Sequence, residues 1–222
     1  MKRIIILILI GLVFSQLLYG QRSRKKKSYA EVKFGQLDPQ DAAIGDFFGF
    51  STGRMIDSRL SWGLELNIFK STFRKQTVIA EFDTAGIQFK EKQVELEFTT
   101  TIVPVFVVLA YDLPLGGRRS SNPFRFRASG AIGWEFTWNT ERNFREDISR
   151  RRFFSGLGWR LSSGLGIKIS EAGILFFDVV YNDANVTRSH DRNEAGLPIF
   201  QVMDVSGFGF FFGLNITVKN LF

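Results

Sequence analysis

From Val205 to Phe222 the chain reads VSGFGFFFGLNITVKNLF. Even positions carry Phe208, Phe210, Phe212, Leu214, Ile216, Val218 and Phe222, while odd positions carry Gly207, Gly209, Gly213, Asn215, Thr217 and Lys219. Phe211 is the one bulky residue on the small face. A period of two predicts a β-strand with one apolar face and one small or polar face. The same alternation recurs upstream. A first strand, about Tyr29 to Gly35, sets Ala30, Val32 and Phe34 against Glu31 and Lys33; a second, about Asp46 to Gly53, sets Phe48 and Phe50 against Gly49, Ser51 and Gly53. A third opposes Leu60, Trp62, Leu64, Leu66 and Ile68 to Ser61, Gly63, Glu65 and Asn67, and a fourth, running to Leu113, turns Val103, Val105, Val107, Leu109 and Tyr111 to the apolar side. The fifth opposes Phe124, Phe126, Ile132, Trp134, Phe136 and Trp138 to Arg125, Arg127, Gly133 and Glu135. The sixth opposes Leu157, Trp159, Leu161, Leu165 and Ile167 to Gly156, Gly158, Arg160, Gly164, Gly166 and Lys168. Leu175, Phe177, Val179 and Tyr181 against Asp178 and Asn182 make the seventh.

Strands of this kind also build soluble sandwiches, so the polarity of the faces decides. A sandwich buries its apolar faces in one core and turns charge to water. The apolar faces here are too large for a chain of this length to enclose. A barrel in lipid inverts the requirement: apolar side chains point outward, polar ones inward, and closure leaves no edge unsatisfied. The predicted fold is all-β, a closed eight-stranded antiparallel transmembrane β-barrel behind an N-terminal signal peptide. The connections agree. They are short at 54–59 and 170–173, and rich in Gly, Pro, Ser and Asn from Leu113 to Pro123. Those after strands one, three, five and seven are longer, up to Asp183–Pro198. Short periplasmic turns alternating with external loops are expected of an outer-membrane barrel, with both termini periplasmic.

Residues 1–20 read as a secretory signal: Lys2 and Arg3, then the apolar run Ile4–Leu18, then Gly20. That run is about 15 residues, shorter than the ~20 of a spanning helix. Residues 21–27 form a basic periplasmic segment and 28–222 the barrel. The rival reading is an uncleaved inner-membrane anchor, because Arg22, Arg24, Lys25, Lys26 and Lys27 oppose translocation. Without Lys2 and Arg3, 27 basic residues face 22 acidic ones, a formal +5 that is too mild to point to nucleic acid. There is no cysteine, hence no disulfide framework or thiolate metal site. The 25 Phe and 21 Gly suit a small barrel with Phe outside and Gly inside.

On the export signal, the eight alternating strands, Pro104 with Tyr111 downstream, and the terminal Phe222, residues 28–222 resemble the small eight-stranded OmpA/OmpX-type outer-membrane β-barrels. The resemblance implies a bacterial outer-membrane monomer in contact with membrane lipid and lipopolysaccharide. It also implies that the barrel-assembly machinery reads the C-terminal strand through Phe208, Phe210, Phe212 and Phe222. Pro104 removes a ladder donor, and a bulge is expected there.

Four sets of residues carry candidate chemistry. By parity Glu31, Lys33, Glu65, Arg125, Arg127, Glu135, Arg160, Lys168 and Asp178 face the lumen, five basic against four acidic. An eight-stranded interior is just filled by side chains, so these charges form a structural salt-bridge plug rather than an ion path. Between strands three and four, a turn centred on Thr84–Ala85 pairs Phe82 with Ile87, Leu66 with Val103 and Trp62 with Val107. That register makes Leu60–Leu113 one hairpin rising roughly 55–60 Å, about 30 Å of it beyond the apolar band. Such a ribbon, at 70–93, is an expected protein-partner site. Arg145, Arg150, Arg151 and Arg152 suit lipopolysaccharide phosphates. His190 stands alone as the only histidine; beside Ser189 and Asp191 it lacks the convergent geometry of a catalytic triad and departs from the His-x-Ser pattern of lipid A deacylases. No catalytic residue, cofactor or metal site is expected, and the reading is of a non-enzyme with a structural or surface-interaction role. The alternatives are a narrow pore, a subunit of an envelope secretion or transport complex, and a lipid A-modifying enzyme.

Overall fold

The computed structural model describes residues 27–84, 87–116, 122–192 and 198–219, with side chains described for all of these except 78–92, 190–199 and 219. The signal segment 1–20, residues 21–26 of the basic segment and Phe222 lie outside the described residues. Nine strands follow in order: β1 Lys27–Pro39, β2 Gly45–Met55, β3 Leu60–Thr84, β4 Ile87–Pro114, β5 Phe124–Asn143, β6 Ile148–Lys168, β7 Gly173–Arg192, β8 Pro198–Asp204 and β9 Gly207–Lys219. Each of β1 to β6 pairs antiparallel with its successor. Along β7, Gly173–Asn182 pairs with β9 and Asn185–Arg192 with β8, so β8 and β9 together form the eighth stave, interrupted at Val205–Ser206. β9 returns to β1 along a seam from Lys27↔Lys219 to Pro39↔Gly207, and the ring is closed.

Closure follows from the two faces of each strand. On β3, Trp62, Leu64, Leu66 and Ile68 are exposed on the outer face, while Ser61, Glu65, Asn67 and Phe69 are buried on the inner one. Val105, Val107 and Leu109 of β4, Ile132 and Trp134 of β5, Leu161 and Leu165 of β6, and Phe208 and Phe212 of β9 carry the apolar exterior around the ring. Lys70 ends the apolar belt on β3, and a strand needs only ~9–11 residues to cross lipid, so much of β3 and β4 rises past it.

The β3–β4 hairpin therefore projects, but in a different register from that expected. Trp62 pairs with Leu109, Leu66 with Val105 and Phe82 with Phe89, and the strands end with Thr84 opposite Ile87. The offset is two residues, so outer still meets outer. No bulge occurs at Pro104; rungs lapse between Leu66↔Val105 and Phe69↔Ile102 without a change of register, as a missing N–H requires. The irregularities lie higher, between Lys75 and Gln76 and between Val78 and Ala80. The expected long loops are mostly strand: Asp183–Arg192 belongs to β7, and only Phe144–Asp147 separates β5 from β6, with Asp147 at φ 52°.

Candidate functional site: the lumen and the distal mouth

The lumen has two tiers. Nearer the end where Lys27 meets Lys219, inward side chains from six strands build an ionic cluster. Glu65 on β3 accepts hydrogen bonds from Lys33 Nζ at 2.5 Å and Asn67 Nδ2 at 2.6 Å, and it pairs with Arg160 of β6. Glu31 on β1 takes Arg127 NH2 of β5 at 2.8 Å and Asn215 Nδ2 of β9 at 2.9 Å. Arg127 Nε also lies 3.2 Å from Asp112 Oδ1. These groups are buried or nearly so, and burial of charge is tolerable only when it is paired in this way. Glu135, at 0% exposure, accepts one hydrogen bond, from Asn182 Nδ2 at 2.9 Å, and its Oε2 has no partner among the described residues. Asp178 is buried close to the cluster with Oδ1 likewise unpartnered.

Above the ions the lumen turns apolar. Leu37, Phe47, Phe69, Ile102, Phe154, Val180, Ala184, Val186, Met203, Val205 and Phe211 pack into one buried core. Phe211 stacks on Phe47 at 4.3 Å between ring centroids. The tiers meet through aromatic faces: Arg160 lies 5.0 Å from the Phe106 ring and 5.4 Å from that of Phe211, and Arg127 lies 3.8 Å from Phe176. The expectation of Phe outside and Gly inside is thus incomplete, since Phe47, Phe69, Phe106, Phe154, Phe176 and Phe211 all face inward and are buried. Strand parity alone would have found them.

Of the nine charges expected inside, seven are buried: Glu31, Lys33, Glu65, Arg127, Glu135, Arg160 and Asp178. Lys168 is not brought to them. It sits at the β6–β7 turn with its Nζ 2.8 Å from Glu171, whose exposed carboxyl it holds below the usual range. Arg125 is half-buried at the same rim and makes no ion pair among the described residues. Asp112, which parity places inward beside the outward Tyr111, is the ionic residue that sequence reasoning missed.

At the other end lies the distal mouth. Arg145 NH2 is 2.5 Å from Glu95 and Arg152 NH2 is 2.7 Å from Glu141. Arg151 continues the outer face of β6 beyond Phe153, with Arg142 exposed on the same face of β5, whereas Arg150 and Arg152 share parity with the buried Phe154. Among the expected lipopolysaccharide contacts, only Arg151 therefore combines an outward direction with freedom from ion pairs among the described residues. Phe208, Phe210 and Phe212 face outward on β9. His190 pairs through its backbone with Ile199; its side chain is outside the described residues. The β1–β2 turn is tied to the break in the eighth stave, with Asp41 N donating to Asp204 O at 3.0 Å, Asp204 N to Asp41 Oδ2 at 2.7 Å, and Gln40 N to Ser206 O at 2.9 Å.

No protein-family model matches the sequence, and no curated protein is similar to it. Solved structures are. The crystal structure of Neisserial surface protein A (NspA) is similar at 11% identity, over 90% of this chain and 100% of that one, with a TM-score of 0.51. A major outer membrane protein from Thermus thermophilus is similar at 10% identity, over 86% of this chain and 99% of that one, also at 0.51. At such identities the likeness is one of fold alone, and that fold is the closed β-barrel of the small outer-membrane proteins.

Proposed function

We propose that the chain is a monomeric bacterial outer-membrane barrel, with a structural or surface-interaction role, a plugged lumen and no catalytic centre. The observation that carries this reading is the inverted polarity of the ring, apolar outside and ionic within. Only a hydrocarbon surround makes that arrangement favourable. The apolar core above the ions supports a plug, since it fills the section that a conducting path would have to cross. Both described chain ends then face the periplasm, and the projecting hairpin faces outward.

The surface role rests on that hairpin. β2 accompanies β3 only as far as Asp46↔Lys70, so among the described residues Ser71–Thr84 has an unpaired edge on that side. An edge of this kind takes an added strand. The residues 70–93 are the proposed protein-partner site, with lipopolysaccharide phosphates at Arg151 and the neighbouring Arg142 on the outer face. The aromatic face of β9 is the proposed signal for the assembly machinery.

The first test is electrophoretic. Outer-membrane fractions solubilised without boiling should give a fast, protease-resistant band that shifts only on heating. The purified barrel should then leave a planar lipid bilayer at baseline current. Recovery in the inner membrane with no heat shift would sink the barrel assignment; discrete conductance steps would sink the plug.

A further inference from the structure

We propose that a cleft at the distal mouth binds a neutral saccharide. The cleft encloses about 470 Å³ between the β1–β2 turn, which contributes Gln40, Asp41, Ala42 and Ala43, and the inner face of the projecting wall, which contributes Ser71, Phe73, Phe98, Thr100 and Asn139. That is within the ordinary size range of small-molecule sites.

Its chemistry is specific. Phe73 and Phe98 oppose each other across the β3–β4 ladder, and Phe73 is 52% exposed, an unusual state for an aromatic ring on an inward face. Beside this aromatic ledge, Asn139 Nδ2 donates to Thr100 Oγ1 at 3.2 Å. Asn139 Oδ1 is buried and has no partner among the described residues, and the Thr100 hydroxyl keeps its own proton to donate. Asp41 uses Oδ2 on Asp204 N, which leaves its other oxygen as an acceptor. The cleft thus offers an aromatic ledge beside the exposed Gln40 and Asp41, which between them donate and accept, over a part-buried Asn139–Thr100 pair. A sugar ring is complementary to that pair of features, with a C–H face for the aromatics and hydroxyls that both donate and accept.

Other ligand classes fit less well. None of the lining residues is Lys or Arg, so a phosphate, sulfate or carboxylate would meet Asp41 with no cation to balance it. A purely apolar ligand would cover the exposed Gln40 and Asp41 without satisfying them, at a cost in affinity. Both walls are held by hydrogen bonds: one is laddered sheet, and the other is tied by the Asp41–Asp204 hydrogen bonds. A preformed cleft loses little to ordering when it binds.

The test uses the whole barrel in lauryldimethylamine-oxide micelles, because detergents with sugar headgroups would compete. Saturation-transfer NMR is run with the methyl glycosides of glucose, galactose, mannose and N-acetylglucosamine, with maltose and lactose, and with glucuronic acid as the charged control. At least one neutral sugar should receive saturation, and more strongly than glucuronic acid. Phe73→Ala and Asn139→Ala should each weaken binding by about tenfold, the loss expected for one packed ring or one well-made hydrogen bond, while Phe73→Trp retains it. Heat-shifted mobility shows that each variant is folded, and Gln40→Ala, in an exposed turn, replaces any variant that is not. No saturation of any neutral sugar, preference for glucuronic acid, or unchanged binding in the alanine variants would overturn the proposal. Binding in micelles is independent of where the barrel resides, so this result and that of the fractionation test fail separately.

Discussion

Glu65 holds two cations at once, Lys33 and Arg160, at 2% exposure in the ionic tier. Removing it leaves Arg160 buried without its carboxylate and Lys33 with Glu31 alone, 3.8 Å away, and loss of one partner of a buried pair costs about 3–5 kcal/mol. Glu65→Ala should accordingly lower the urea concentration at which the heat-modifiable band is lost. Lys168→Ala removes only an exposed pair with Glu171, of a kind that contributes little, and should leave the same midpoint nearly unchanged. Sequence alone could assign the side of the sheet for Glu65 and Lys168 alike, because parity is a local property. It could not tell the barrel interior from its rim. That depends on where each residue sits along the tilted stave, and Lys168 lies at the very end of β6. Phe47 and Phe106 were within reach of parity and were passed over for a related reason: a large apolar residue on a nominally polar face reads as an exception until the neighbouring strands show several such exceptions at one level.

The β3–β4 hairpin was legible as an element and misjudged in register. Two adjacent two-residue turns are available in Asp83–Gly86, and both keep outer residues opposite outer ones. Charge does not separate them either. The expected register sets Arg74 against Glu95, and the observed one sets it against Glu97, with Arg74 Nε 2.6 Å from Glu97 Oε2. The observed alignment also allows Lys75 and Arg145 to converge on Glu95, a contact with the β5–β6 turn that no reading of one hairpin could supply. Because the hairpin above Ser71 and Thr100 adds nothing to the closed ring, replacing 76–93 by a two-residue Asn-Gly turn should leave the heat shift unchanged. Loss of the folded band in that variant would show that the wall is needed for closure.

Across the whole molecule, the exterior is divided between an apolar belt and a distal rim where Arg142 and Arg151 face outward. Those two arginines should bind lipopolysaccharide phosphates together. The double variant Arg142→Ala and Arg151→Ala should retain several-fold less lipopolysaccharide on purification, with Arg150→Ala, on the other face of β6, as the unaffected control. Equal retention in the unaltered protein, the double variant and Arg150→Ala would remove the rim from the lipid contacts. The tie between Asp41 and Asp204 has a separate consequence, for assembly. These residues lie 163 positions apart, in the first turn and in the last stave. Their hydrogen bonds can form only when the beginning and the end of the chain lie side by side, so they act as a clasp across the two ends of the chain. An incomplete chain lacking the final stave would leave Asp41 and the Gln40 amide unmatched at the mouth. The cell's quality control would then have a local mark of an unfinished ring, far from the seam itself.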